Sequence, residues 1–337
     1  MEKTQFKYKP DRIILPGLGI IGLLILFFFP QISHSVFPIN LSGQQSNRLA
    51  DLFLLLTIAS SWNLFSGLTG SIDFGHTVYF GLGAYFTAIA VASFEYPWLI
   101  GIGLAILCSG FCALLIGTVI LPLRGGYFSV ATLAILLVTR VLVITLRSVT
   151  GGNSGIVVSP TFNPDIYYWG AAGTLIVTLT ITYRLRQTEI RVILTAIRTN
   201  DRLAAVRGIP VIRYKLFIYV LSAAFSSLVG SMWFYRHTFV QPDSVFVETD
   251  TFELIVICVV GGTGTFTGPL VGGVMLHILS TTFSTEWKFI LESIVLILTI
   301  LYLPGGLSRF LLRQNTDINW LQLLKAERHG HGFDQGR

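Results

Sequence analysis

RLRQTEIRVILTAIRTNDRLAAVRGIPVIRYK, Arg184 to Lys215, is the longest charge-rich run lying between two apolar parts of the chain. It holds eight Lys and Arg against two acids, Glu189 and Asp201. A charged side chain in hydrocarbon costs about 2.5–3.5 kcal/mol on an insertion scale, so this run lies in water. Its positive excess places it on the cytoplasmic side. The rest of the chain falls around it. Residues 13–183 form a first group of apolar spans and residues 216–303 a second. A basic N-terminus covers 1–12 and a basic tail covers 304–337.

Composition agrees with this division. Of 337 residues, 53% are hydrophobic and 12% charged, about half the usual globular share of roughly 25%. The fold class expected is an all-α polytopic membrane protein. The net charge of +6 does not indicate a nucleic-acid binder, because the basic residues sit in loops and tails between apolar spans. Three cysteines are present. Cys108, Cys112 and Cys258 lie in apolar runs without His or carboxylate neighbours, and read as small packing residues. Neither a disulfide framework nor a metal site is expected.

Taken in order, Ile13–Phe29 reads as a retained span, since it is longer than a signal-peptide core and no small-residue cleavage site follows. Leu49–Phe65, Gly67–Ser93, Trp98–Leu121, Tyr127–Leu146 and Tyr167–Tyr183 then alternate across the membrane. Leu216–Tyr235 and Trp287–Leu303 complete the spans. Lys/Arg placement puts both termini inside, which leaves Thr251–Phe283 unable to cross once. Phe252–Val260 is a half-helix of some 14 Å, GGTGTFTGP (Gly261–Pro269) breaks it, and Leu270–Leu279 runs back. Such backbone is tolerated at membrane depth only against protein or a wet cavity. The expectation is about eight transmembrane helices plus a re-entrant broken pair at 251–283. A glycine-broken segment follows a Gly/Ser-containing span in both halves, Asn63–Gly83 and Ser222–Gly273, and paired broken helices often mark a substrate path.

Several residues stand out. Gly264, Gly268 and Gly272 recur every four positions, leaving a helix face bare for close packing. Packing accounts for Gly268 and Gly272 better than for Gly261 and Gly262, which read as a bend facing a polar cavity. Asp73 and His76, three apart, share a face if helical. They read as a proton relay or substrate contact, with Asp73 close enough to the cytoplasmic boundary to stay hydrated. Arg140 sits within an apolar span and needs a carboxylate, backbone or cavity partner. In the basic run, Glu189–Val206 is rich in helix formers, Leu203–Val206 gives a small apolar patch, and Gly208-Ile209-Pro210 stops the helix. That is a docking element for another protein.

The usual phosphate-cradling motif for ATP, G-x-x-x-x-G-K-[ST], is absent, as are H-E-x-x-H and G-x-S-x-G. No nucleophile–base arrangement is apparent, so neither a catalytic residue nor a cofactor is assigned to this chain.

Five blocks in order carry a resemblance. They are WNLFSGLTGSIDFGHTVYFGLGAY (62–85), LRGGYFSVATLAILLVTR (123–140), TGGNSGI (150–156), RTNDRLAAVRGIPVIRYKLFIYVLSAAFSSLVGSMW (198–233) and VVGGTGTFTGPLVGG (259–273). Together the chain from about 48 to 310 resembles the membrane permeases of branched-chain amino acid ABC importers, of the LivM type. The resemblance implies a second related permease, two cytoplasmic ATPase subunits that bind the ATP, and an extracytoplasmic binding protein. It implies an inner-membrane location. It also implies that the basic run holds the coupling helix, with Arg198, Asp201, Arg202, Ala204, Ala205 and Gly208 at the ATPase contact.

In this chain Leu203 stands directly before Ala-Ala, where permease loops of this kind carry an acid. Asp73 is an acid added to the family's Gly-His segment. The broken segments are expected to line the substrate path, with Asn63, Asp73, Gly75, His76 and Tyr79 in the first and Gly261, Gly262 and Gly264 in the second. The substrate implied is a branched-chain or other neutral amino acid. Urea permeases share much of the pattern, and a self-sufficient proton-coupled carrier using Asp73, His76 and Arg140 is the rival from another class.

Overall fold

The computed structural model describes residues 43–158, 162–282, 285–303 and 305–308. The expected span Ile13–Phe29, the N-terminus and nearly all of the tail lie outside the described residues. Eleven helices of six or more residues are described: α1 Gly43–Trp62, α2 Thr77–Phe94, α3 Trp98–Ile120, α4 Gly126–Thr145, α5 Pro164–Gln187, α6 Glu189–Thr199, α7 Asp201–Val206, α8 Val211–His237, α9 Glu248–Gly261, α10 Gly268–Thr282 and α11 Thr285–Tyr302. Among the described residues, five helical stretches are long and apolar enough to cross a membrane: Ser46–Gly67, Thr77–Phe94, Trp98–Ile120, Gly126–Thr145 and Val211–His237. The protein is an all-α polytopic membrane protein.

α1 and α8 form the centre. α8 packs on α2 and α3 along one side and on α1 along another, while α5 lies against α1. Close approach of α2 and α8 is set by glycine: a Cβ on Gly83 would strike the Ser227 carbonyl, and one on Gly230 the Phe80 carbonyl. Hydroxyls tie the same surfaces, Thr87 Oγ1 donating to Ser231 Oγ at 2.8 Å. α4 is peripheral, and Tyr127, Val130, Val138 and Val141 expose apolar area along it, as a helix facing lipid or another subunit does.

α1 does not end in an ordinary cap. It loosens into a π-helical turn, Asn63–Gly67, a form frequent at functional sites. Residues 70–76 then run without regular structure until α2 starts at Thr77. The expected crossing Gly67–Ser93 is therefore shorter than read, and Asp73 and His76 do not share a helix face. The glycines of this segment favour unwinding because the backbone gives up little side-chain packing there.

The second break lies between α9 and α10. Both are longer than expected, 14 and 15 residues, or roughly 21–22 Å each at 1.5 Å per residue, against about 30 Å of hydrocarbon. They pack as an antiparallel hairpin so closely that a Cβ on Gly272 would meet the Ile257 carbonyl. Gly261 is also a packing residue, facing the Gly268 carbonyl, which corrects its reading as part of the bend. Gly262 and Gly264 do form the bend, at φ +116° and +75°, values a side chain resists.

The basic run folds as two helices where one was expected over Glu189–Val206. α6 is amphipathic, with Leu194 and Ile197 buried and Val192 exposed. It stops at Asn200, whose extended backbone lets its side chain accept from the N–H groups of Arg202 (3.0 Å) and Leu203 (3.1 Å). That cap starts α7. Gly208, at φ +85°, then turns the chain into α8. At the opposite end of α8, about 40 Å away at 27 residues, Phe239–Val240 (β2) pairs antiparallel with Ile156–Val157 (β1) of the TGGNSGI turn.

Candidate transport path and coupling surface

The two breaks meet. Asn63, first residue of the π-turn, donates from Nδ2 to the Thr265 carbonyl at 2.8 Å and accepts from the Gly264 N–H at 2.7 Å. One amide side chain thus clamps the bend from both of its polar ends. Arg198 joins the same point, its Nη1 donating to the Gly67 carbonyl at 2.7 Å. A Cβ on Gly264 would overlap that guanidinium. The bend therefore reaches the end of the bundle where the basic segment lies, and Thr265 Oγ1 meets Ser308 Oγ there at 3.1 Å.

Asp73 and His76 are 0% and 1% exposed, so Asp73 is not hydrated as expected. Their contact, His76 Nδ1 to Asp73 Oδ2, is 3.3 Å. His76 Nε2 lies 2.7 Å from Ser61 Oγ. A serine–histidine–aspartate arrangement is thus present, where the sequence showed no nucleophile–base set. It is invisible in the sequence because Ser61 comes from the preceding helix. Its hydrogen bonds run to neighbouring helices and to the backbone. Ser61 Oγ also lies 3.0 Å from the Ser222 carbonyl as a donor, Ser222 Oγ donates back to the Ser61 carbonyl at 2.8 Å, and Asp73 Oδ1 accepts from the Gly75 N–H at 2.9 Å. Trp62 Nε1 donates to the Asp73 carbonyl at 2.8 Å. Tyr79 is buried with its hydroxyl 2.9 Å from that of Tyr219, and a Cβ on Gly75 would strike the Thr132 carbonyl. These groups fasten the unwound stretch between α1, α4 and α8.

The substrate-path residues expected from the sequence border neither of two cavities among the described residues. The larger, about 480 Å³, lies between α1, α2, α8 and α9. Its polar lining includes Asp51, Thr77, Arg236, His237, Asp250 and Glu253, and its apolar lining includes Leu54, Leu55, Ile58, Phe80, Val229 and Leu254. Asp51 pairs with Arg236 and accepts from the Tyr167 hydroxyl at 2.7 Å. The smaller, about 220 Å³, is bordered by Arg198, Thr263, Thr299 and Gly305 at the basic end. Sequence reading missed the larger cavity because its charges are scattered over three helices. The sole signal is that Asp51, Leu54, Leu55 and Ile58 fall on one face of α1.

The expected ATPase-contact residues divide. Asp201 turns inward: its Oδ2 is 2.6 Å from Lys215 Nζ, which also lies 3.1 Å from Ser71 Oγ in the unwound stretch. Ala204 is buried and packs α7 down. Arg202, Ala205 and Gly208 are exposed, with Leu203 and Val206 beside them at 61% and 84%. Arg140 is paired with Asp243, Nη2 to Oδ1 at 2.5 Å, and lies 3.9 Å from Glu248. Among the described residues no group of His, Cys, Asp or Glu could hold a metal ion. All three cysteines are free.

Residues 46–303 match the family described as the branched-chain amino acid transport system / permease component. The chain belongs to that family. It is 24% identical over 279 residues to the high-affinity branched-chain amino acid transport system permease protein LivM of Salmonella typhimurium, and 23% identical to its Escherichia coli counterpart. Each match covers 73% of this chain and 65% of the relative, so the chain spans about two-thirds of the length of these relatives. The ribose import permease protein RbsC of Escherichia coli is 25% identical over 60% of this chain and 70% of its own length. No solved structure matches.

Proposed function

We propose that this chain is a permease subunit of an ABC importer for branched-chain or other neutral amino acids. It sits in the inner membrane with the basic segment and both termini in the cytoplasm. It works with a second related permease, an extracytoplasmic binding protein and two ATPase subunits that bind the ATP. The observation that carries the reading is the bond from Arg198 to Gly67 beside Gly264. A helix at the water boundary is thereby attached to both broken segments, as a lever between a motor outside the membrane and a path inside it must be. The exposed face of Leu203, Ala205 and Val206 receives the ATPase. ATP binding by that partner supplies the differential affinity that shifts the two states.

The test is reconstitution in proteoliposomes. Leucine uptake should require the partner subunits, binding protein and ATP together. Uptake by this chain alone under a proton gradient would replace the reading with the proton-coupled carrier, to which the buried Asp73–His76 pair would then belong. ATP-driven uptake of urea with none of leucine would keep the machine and replace the cargo.

A further inference from the structure

The smaller cavity stands where the basic segment meets the bend. α6 supplies Arg198 to its lining, the bend Thr263, α11 Thr299 and Ile300, and the turn after α11 Gly305 and Gly306. Arg198 commits Nη1 to the Gly67 carbonyl. That acceptor is neutral, so the charge is not offset, and the other N–H donors of the guanidinium remain. Among the described residues, no carboxylate pairs with Arg198, and neither the Thr263 nor the Thr299 hydroxyl bonds another protein group.

Two further cations act on this corner. The end of α5 reaches it, the Tyr183 ring lying 5.8 Å from that of Phe266 in the bend. One turn on, Arg186 holds Nε and Nη2 buried without a hydrogen-bond partner. The charges acting on Arg186 are those of Arg191 and Arg198, with no acid among them. Burial first, and then those two cations, bring its pKa down to about 10. Asp201, at the start of α7, is held by Lys215.

We infer that the smaller cavity binds a phosphate group, held by the Arg198 guanidinium on one wall and the Thr263 and Thr299 hydroxyls on another, in the field of Arg186 and Arg191. A tetrahedral oxyanion accepts from several directions at once, and a guanidinium beside hydroxyls serves it well. The volume of about 220 Å³ is below the roughly 300–1,000 Å³ usual for a whole small-molecule ligand, and suits one such group. An amino acid zwitterion fits poorly, because the lining has no carboxylate for its ammonium. A cation would be repelled by the arginines. Inorganic phosphate and the headgroup of an anionic phospholipid both supply the group. Ile300 lines the cavity and is exposed, as are Ile297 and Leu301 beside it, which gives acyl chains a surface on α11 next to the site. Bound there, the phosphate touches α6, the bend and α11 together and stiffens their joint.

The experiment uses the full chain in nanodiscs of phosphatidylcholine, with and without phosphatidylglycerol. Two quantities are read: saturable binding of radiolabelled inorganic phosphate in the neutral discs, and the rise in unfolding temperature that phosphatidylglycerol brings. Thr263→Val with Thr299→Val keeps the net charge and nearly the volume. It should weaken phosphate binding at least about tenfold and remove the rise in unfolding temperature. Arg186→Met leaves the cavity lining intact and should weaken binding less, by about threefold. Arg124→Gln, at an exposed arginine that lines neither cavity, should change neither quantity.

Phosphate binding that the valine pair loses assigns the site to the free ion. A rise in unfolding temperature that the valine pair loses assigns it to a lipid headgroup, and loss of both allows either source. Absence of both effects in the parent overturns the site. Indifference of both to the valine pair overturns it too, whatever Arg186→Met does, and leaves a diffuse basic surface in its place.

Discussion

Arg198 Nη1 lies 2.7 Å from the Gly67 carbonyl oxygen, joining residues 131 apart in the chain. One belongs to the amphipathic helix α6 of the basic segment and the other to the π-helical turn that ends α1 inside the bundle. A guanidinium can serve there because its planar fork reaches one carbonyl and still abuts the Gly264 backbone.

Arg198→Ala removes a charge-assisted bond of about 1.5–3 kcal/mol. Uptake should fall by more than about tenfold while ATPase subunits still associate and hydrolyse ATP. Arg198→Lys should rescue little, since an ammonium lacks the fork. Retained coupling in the alanine variant, read as uptake per ATP hydrolysed, would remove the lever from the mechanism.

Gly264→Ala should be at least as damaging. The residue stands at φ +75° and the new Cβ would overlap the Arg198 guanidinium. The strain and displacement together should cost about 1–3 kcal/mol, seen as a lower midpoint in thermal unfolding and as lost uptake. Gly103→Ala, where a Cβ meets nothing, is the control.

Val206→Glu should leave the fold intact, because that side chain is 84% exposed, and should abolish co-purification of the ATPase. Ala204→Glu is a different experiment. Ala204 is 3% exposed, so a carboxylate there destabilises α7 by several kcal/mol and reports on folding instead of docking. Co-purification of the ATPase with the Val206 variant at parental yield would place the docking surface elsewhere.

Lys215→Met should loosen the joint between α7 and the unwound stretch. The lysine is 5% exposed and its partner Asp201 25%. The cost should be about 2–3 kcal/mol, below the 3–5 kcal/mol of a fully buried pair. Asp201→Asn with Lys215→Met should cost less than the sum of the single changes in detergent-solubilised unfolding. Strict additivity would mean that the pair carries no coupling.

His76→Ala should lower stability by about 1–3 kcal/mol, since it leaves Asp73 Oδ2 without its partner in a buried site while Ser61 keeps its bond to the Ser222 carbonyl. The surviving protein should still take up leucine with ATP and without a proton gradient. Parental uptake that requires a proton gradient, and loses that requirement on this substitution, would instead assign the pair to ion coupling.

The sequence by itself determined the class of fold and the boundaries of α3, α4 and α8 to within a few residues. Apolar run length, Lys/Arg placement and glycine breaks are local properties, and lipid leaves the backbone few choices. It also marked Arg198, the Asn63 segment and the Gly264 bend as separate features. Only the tertiary structure decided that these three are one joint. It also decided that Asp201 and Ala204 face inward, that Ser61 completes a buried set with His76 and Asp73, and that the cavity is lined from four helices. The reason is physical: a helix repeats its faces every 3.6 residues, so the sequence gives each face, but which faces meet depends on packing between segments more than a hundred residues apart.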